Sequence, residues 1–583
     1  MSELIVGIDL GTTNSEIAVY RDGRPQVLAD SGGRLILPSV VGLDQDGSLL
    51  VGEAARNQYI LHPERTIRSI KRLMGGDRKV SLGGRDYAPQ DISAMILRRL
   101  KEIAEERLGA AVRKAVITVP AFFSDAQRQA TREAGEISGL EVARIVNEPT
   151  AAALVYEAAQ QQGKRVLVYD LGGGTFDVSV VRIEEGVVEV IASHGNNQLG
   201  GDDFDHKIVE RLLDHLKIEH HADVSGDPRA MARIHRAAEN AKKHLSDHPF
   251  ARIDEEYLTE IEGKPVHLAL ELARTEYEEM IAPFIEETLS AIHIALKSAS
   301  LTASQIDEVL LVGGATRTPM IRKRLLGVFG QPPRGEVDPD LCVAMGAAIQ
   351  GAAIAGEKVS AVLVDVTPYT FGTSALGEMN GTLYPYCFIP IIPKNTPIPV
   401  RKSEAFRTVI DNQKIVDIHI YQGEAEDALE NIEIGEFRVE DLADAEAGNI
   451  VILDLALDRD GILHVSAREK ATGLEQRITI DKALSRYDKE DIEEARQHID
   501  TLFGEGGDSD EATGGVAEAA PADPKIDALL ARARAKLDSA VAEDRVEIID
   551  LIEAITDHRE SGDDDALPEV VRRLDDLLFY LET

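Results

Sequence analysis

Over the first 357 positions, short apolar runs alternate with longer stretches whose apolar residues recur every three to four positions. This alternation predicts strands interleaved with helices, an α/β arrangement. Residues 115–119 read as a buried strand ahead of Pro120, and residues 309–312 as another. Residues 92–107, 231–245 and 274–298 carry helical periodicity, with Ser93 as the expected N-cap of the first. Residues 125–139 predict a helix that Gly139 ends. Past Lys358 the pattern changes. A short apolar run at 361–364 precedes a stretch, 367–481, in which apolar and polar residues alternate, as at 415–421 and 450–458. Turn signals such as those at 458–461 separate the runs, predicting a compact antiparallel β domain. From 485 the pattern is helical again. It is broken at 504–524 by Gly, Ala, Pro and Ser with acidic and no basic residues, a composition expected of a linker. Helices are expected at 525–541, 544–558 and 564–581. The predicted organisation is a domain at 1–357, a linker at 358–366, a β domain at 367–484 and an interrupted helical region at 485–583.

Two segments of the α/β region look like copies of one device. Residues 6–15 and 167–177 each give an apolar strand, an Asp-Leu-Gly, a tight turn rich in Gly and Thr, and a second strand. Asp9 and Asp170 occupy the same place in the two copies. Such a turn presents backbone N–H groups as an anion nest, and glycine lets a phosphate approach the backbone. Two facing nests, each with a carboxylate for a hydrated Mg²⁺, predict a nucleotide-phosphate clamp.

Composition narrows the function. A net charge of −39 disfavours nonspecific nucleic-acid or anionic-membrane binding. No apolar run approaches the roughly 20 residues that span a bilayer. The chain enters a strand within four residues with no signal segment ahead of it, and two cysteines cannot build a zinc site or disulfide framework. The expectation is the cytoplasm. No Gly-x-x-x-x-Gly-Lys-Ser/Thr occurs, and residues 200–205 lack the dinucleotide fingerprint.

A set of motifs then appears in a definite order: Ile8–Ser15, Ile70–Leu73, Thr118–Phe123, Asn147–Ala153, Asp170–Asp177, Leu199–Asp205, Val312–Arg317 and Asp365–Pro368. The set resembles the DnaK-type chaperones of the 70-kDa heat-shock family. The short stretch between Lys71 and Gln90, the short helical C-terminal part and the extra residues at 383–393 are similar to its HscC-like branch. The resemblance implies a two-lobed actin-like ATPase domain, an antiparallel β-sandwich that holds peptide, and a short helical lid. It implies ATP or ADP with Mg²⁺, and K⁺ as an accessory ion. Asp9 and Asp170 would hold the metal through water. Gly11, Thr12, Thr13 and Asn14 would cradle phosphates from one side, and Gly172, Gly173, Gly174 and Thr175 from the other, with Gly200 and Gly201 beside them. Lys71, Glu148 and Asp177 would order the attacking water and the metal. Adenosine would meet Glu239, Lys242, Lys243 and Ser246, spaced along one helix face, and Gly313, Gly314, Ala315, Arg317 and Asp340. Peptide would lie against Thr373, Ala375, Leu376, Phe406, Val409, Val416 and Ile418. Pro120, Arg128, Arg144 and Asp365 would couple the two sites, with Asn147 and Thr150 near the docking position of a J-domain partner. Unfolded polypeptides, a J-domain co-chaperone and a nucleotide exchange factor are the partners this implies.

Three other readings compete. A small-molecule kinase on the same fold would need no β domain, and a filament-forming actin relative no long appended region. A family member with a narrow client or a regulatory role would share every motif of the set.

Overall fold

Buried apolar strands with helices on their faces build two α/β lobes around two related sheets. The computed structural model describes residues 3–157, 163–184, 186–261, 263–334, 337–359, 362–459, 461–479, 487, 489–504 and 573–574. The chain divides into two compact units, 1–507 and 508–583, and every sheet among the described residues belongs to the first. The helices expected at 525–541, 544–558 and 564–581, and the segment 505–524, lie outside the described residues except for the helical pair 573–574.

In the first sheet the strand Ile5–Leu10 lies between Lys114–Val119, parallel to it, and Asn14–Arg21, antiparallel to it. In the second sheet Lys164–Leu171 lies between Glu308–Val312, parallel, and Phe176–Glu184, antiparallel. The duplication legible in the sequence is thus a duplication of strand neighbourhood. Both turns emerge beside the carboxyl end of a parallel strand, where open α/β sheets bind their ligands. The helix Cys342–Ile354 passes behind the first strand so closely that a Cβ on Gly7 would meet the Ala348 nitrogen at 2.1 Å.

Most predicted elements form within a residue or a few of their expected ends, among them Asp125–Ile137, Pro228–Asp247 and Arg274–Ser298. Ser93 is a correction. The helix runs Pro89–Leu108 from an N-cap at Ala88, whose N–H is held by Asp91 at 2.9 Å, and Ser93 is buried in its first turns. Proline at the first helical position moved the start upstream.

Beyond Val366 two four-stranded antiparallel sheets share one core. One has the order Thr382–Ile392, Phe371–Met379, Val416–Gln422, Ile432–Val439, and the other Val400–Arg407, Ile450–Leu457, Leu463–Glu469, Glu475–Thr479. Ile450–Leu457 alternates buried and half-buried residues along its whole length, as a strand with one core face must. Two further segments, one from the expected linker and one from the expected helical region, pack on the α/β region. Val362–Val366 adds a parallel strand beside Val187–Asn196. The helix Lys489–Leu502 buries Ile499 in the first-lobe core, and the Tyr87 hydroxyl lies 3.0 Å from His498 Nε2. No helix among the described residues is long and apolar enough to cross a membrane.

Candidate functional site

The two Gly- and Thr-rich turns face each other across a cleft lined by Asp9, Gly11, Thr12, Thr13, Asn14, Glu16, Lys71, Glu148, Asp170, Gly172, Gly173, Thr175, Val312, Gly313, Gly314 and Asp340. Among the described residues, no acceptor engages the backbone N–H groups of Thr12, Thr13, Gly173 or Gly174. The turns touch so closely that a Cβ on Gly173 would fall 1.8 Å from Thr13 Oγ1. Gly313, at φ 80°, would put one 2.4 Å from the Leu171 carbonyl oxygen. This is the close backbone packing for which glycine is needed.

The charge in the cleft is lopsided. Its lining holds the carboxylates of Asp9, Glu16, Glu148, Asp170 and Asp340 against the one ammonium of Lys71. Lys71 is buried and donates to Glu148 Oε1 at 2.5 Å, with its ammonium 5.5 Å from the Phe123 ring centre. Asp9 accepts from Thr118 Oγ1 at 3.0 Å, whereas Asp170 Oδ2 is buried without a partner. Burial, then the Glu148 charge, pushes Asp9 up to about 7, and the same causes in the same order hold Asp170 well above the usual carboxylate range. Carboxylates so crowded are stable as anions only beside a cation. An orphaned Asp170 oxygen in the same cleft as Asp9, below two turns with free N–H groups, is a donor set that would fit a hydrated divalent cation.

Other expected residues fall elsewhere. Asp177 is fully buried outside the cleft lining and accepts from the Ala121 and Phe122 N–H groups, each at 3.1 Å. Gly200 and Gly201 support the second turn from behind, where Gly201 N–H donates to the Gly172 carbonyl. On the helix Pro228–Asp247, Lys242 donates to Asp205 at 2.7 Å and to the Gly201 carbonyl at 2.9 Å. Lys243 pairs with Glu239, and Ser246 donates to the Lys242 carbonyl at 3.4 Å. Arg317 pairs with Asp338 and Asp340. Glu239, Lys242, Lys243, Ser246, Gly174, Ala315 and Arg317 border the cleft's surroundings without lining it. Sequence reasoning passed over Glu16, Thr118 and Arg72. Arg72 pairs with Asp203 across the lobes.

The residues expected to couple the two sites lie close together. Arg128 donates to Asn147 Oδ1 at 2.6 Å and to the Ala121 carbonyl at 3.1 Å. Asn147 in turn donates to Asp365 at 2.7 Å, and Thr150 reaches the same carboxylate at 3.5 Å. Arg144 donates to the Arg459 carbonyl of the β region. Pro120 is buried at the head of the loop that carries Ala121 and Phe122. Tyr369, just past the linker, donates to the Phe122 carbonyl at 2.8 Å, and the two rings lie 4.8 Å apart.

In the β region Thr373, Ala375, Leu376, Phe406, Val409, Val416 and Ile418 all line one cavity of about 290 Å³. Ile418 and Thr373 form its buried floor. Val409 and Leu376, 62% and 51% exposed, stand on its rim.

Comparison with known proteins agrees with this geometry. The chain matches the Hsp70 protein family over residues 5–81 and 76–578. It is 48% identical to the chaperone protein DnaK of Thermosipho africanus over 82% of this chain and 80% of that protein. The DnaK of Thermotoga neapolitana is 48% identical over 85% of this chain and 84% of its own length. With a cleft between duplicated hairpins and an antiparallel β region beyond Val366, the chain belongs to the Hsp70 family, an ATP-hydrolysing, ATP-dependent molecular chaperone of unfolded polypeptides.

Proposed function

We propose that nucleotide state in the cleft governs the hold of the β region on an extended apolar segment, through the Arg128–Asn147–Asp365 junction. Thr12, Thr13, Gly173 and Gly174 receive the phosphates on backbone N–H groups, and Asp9 and Asp170 hold Mg²⁺ through water. The metal supplies charge neutralisation at the phosphates. Lys71, fixed by Glu148, orients the attacking water, and K⁺ would serve as a further counter-charge. Such a reaction asks for positioning and electrostatics and for little covalent chemistry from the protein. Gly313, Gly314 and Asp340 form the side of the cleft toward the nucleoside, with Arg317 and the helix bearing Glu239, Lys242, Lys243 and Ser246 behind it.

Ile418, Val416, Phe406 and Thr373 form a pocket for one apolar side chain, and Ala375, Leu376 and Val409 overhang it. The two sheets read as a sandwich, with the helical region as its lid. Peptide affinity and nucleotide handling are then linked reciprocally. A J-domain protein acts near Arg144, Asn147, Thr150 and Asp365, and an exchange factor acts on the closed cleft. The domain limits 1–357, 358–366, 367–484 and 485–583 and a cytoplasmic location complete the proposal.

The observation that carries it is Asp365, buried and bonded to Asn147, the same side chain that Arg128 holds. Single-turnover ATP hydrolysis with and without excess apolar peptide tests it. Acceleration by peptide supports the coupling, and a rate indifferent to peptide and to J-domains refutes it.

A further inference from the structure

Glu16 is the one charged residue in the cleft lining that the motifs leave without a task. It stands seven positions after Asp9, as Asp177 stands seven positions after Asp170. Each is also its aspartate's directly opposed partner across an antiparallel pair, Asp9 with Glu16 and Asp170 with Asp177. Residues so opposed point to the same face, with Cβ atoms about 4.5–5.5 Å apart. The duplication therefore delivers two acidic pairs, but the second members live differently. Asp177 is satisfied by two backbone N–H groups. Glu16, 3% exposed, lines the cleft, and among the described residues none donates a hydrogen bond to its carboxylate.

A buried carboxylate without donors is costly unless something positive reaches it. Lys71 is bound to Glu148 and shares the lining with three further carboxylates besides Glu16, those of Asp9, Asp170 and Asp340. A phosphate group alone would make the imbalance worse. We propose that Glu16 is a further carboxylate of the divalent-cation site, holding the ion or its water shell beside Asp9. This rests on the reading of Asp9 and Asp170 as the metal pole. Glu16 thereby makes nucleotide binding more dependent on metal: with the cation it anchors the complex, and without the cation it repels the phosphates. Three carboxylates from two facing hairpins, Asp9, Glu16 and Asp170, bind a divalent ion more tightly than two.

The test uses the full chain with Mn²⁺ as the probe. Mn²⁺ binding is followed by electron paramagnetic resonance, and ADP binding by calorimetry in Mn²⁺ and in EDTA. E16Q keeps the shape and removes the charge. It is expected to weaken Mn²⁺ binding about 10- to 100-fold, in the range seen when groups that support a metal are lost. ADP in EDTA should bind E16Q at least as tightly as wild type. E16D, which keeps the charge, should retain most of the Mn²⁺ affinity, and unfolding midpoints confirm that each variant is folded. Mn²⁺ affinity in E16Q within about twofold of wild type, while D9N loses it, overturns the role of Glu16 alone. Equal losses in E16Q and E16D also overturn it, since packing would then explain both. If D9N and E16Q both bind Mn²⁺ as wild type does, the metal pole itself has been misassigned.

Discussion

The hairpin of Ile5–Leu10 and Asn14–Arg21 and the hairpin of Lys164–Leu171 and Phe176–Glu184 share a turn, an aspartate and a pattern of neighbours, yet their second acids serve different ends. In the first, Glu16 faces the cleft. In the second, Asp177 is spent on the N–H groups of Ala121 and Phe122. That loop also gives its Ala121 carbonyl to Arg128 and its Phe122 carbonyl to Tyr369. One copy thus looks toward nucleotide, and the other ties the second sheet to the path that reaches Asp365. A duplicated backbone leaves each copy free to take up a different task, because the strand register fixes where an acid sits and its surroundings decide what it binds.

The largest effect should come from Lys71, which sits between the copies. Lys71→Ala should slow single-turnover ATP hydrolysis by about 10²–10³-fold, the scale of a lost positioned charge. ADP affinity should change little, because the nests and Asp9 remain. A loss of ADP binding as large as the loss of rate would move Lys71 from the chemistry to the binding of nucleotide.

Asp365→Ala should leave basal hydrolysis near wild type and remove the acceleration by peptide, a coupling typically worth about 5- to 150-fold. Asp365 does not line the cleft and accepts from Asn147 and Thr150. Peptide acceleration surviving this change would show that Tyr369 and Phe122 carry the signal instead.

Much of this was legible in the residues. Repeated Asp-Leu-Gly turns placed the cleft because turn chemistry is local. The period-two runs placed the β region because its strands have one core face each. The residues expected to meet peptide line one cavity in part because Thr373 and Ala375 alternate on one strand and Val416 and Ile418 on its neighbour. What escaped depended on partners far away in sequence. Glu16 was passed over because a polar residue within an apolar strand has no local signature, although the spacing of seven that it shares with Asp177 was there to be read. Ser93 was misplaced because Pro89 and Asp91 offered a better start upstream. The helix Lys489–Leu502 announced its amphipathic face, but not that Ile499 would enter the first-lobe core.

A smaller effect sharpens the comparison between the aspartates. Asp9 opposes Thr118 on its parallel neighbour, where Asp170 opposes Val312. Thr118→Val gives the first copy the second copy's surroundings. It should lower the unfolding free energy of the nucleotide-free chain by about 1.5–3 kcal/mol, the range for a hydrogen bond to a charged group. Urea unfolding checks this, and a midpoint unchanged from wild type would mean that the Thr118 hydroxyl is not needed by Asp9.

The smallest effect is a pH dependence assigned to Asp177. Burial, followed by the Glu148 charge, raises this carboxyl from 3.8 to about 7 despite its two N–H donors. A carboxyl with a higher pKa folded than unfolded binds more protons in the folded state between those values. Folding stability therefore falls as pH rises through that window and levels off above about 7. The nucleotide-free chain should lose stability between pH 5 and 7, and Asp177→Asn, which cannot ionise, should show a shallower loss. Unfolding midpoints across that window in the two proteins give the comparison. Equal slopes would mean that the backbone donors of Ala121 and Phe122 outweigh burial and keep Asp177 ionised throughout, as a fixed anchor between the lobes.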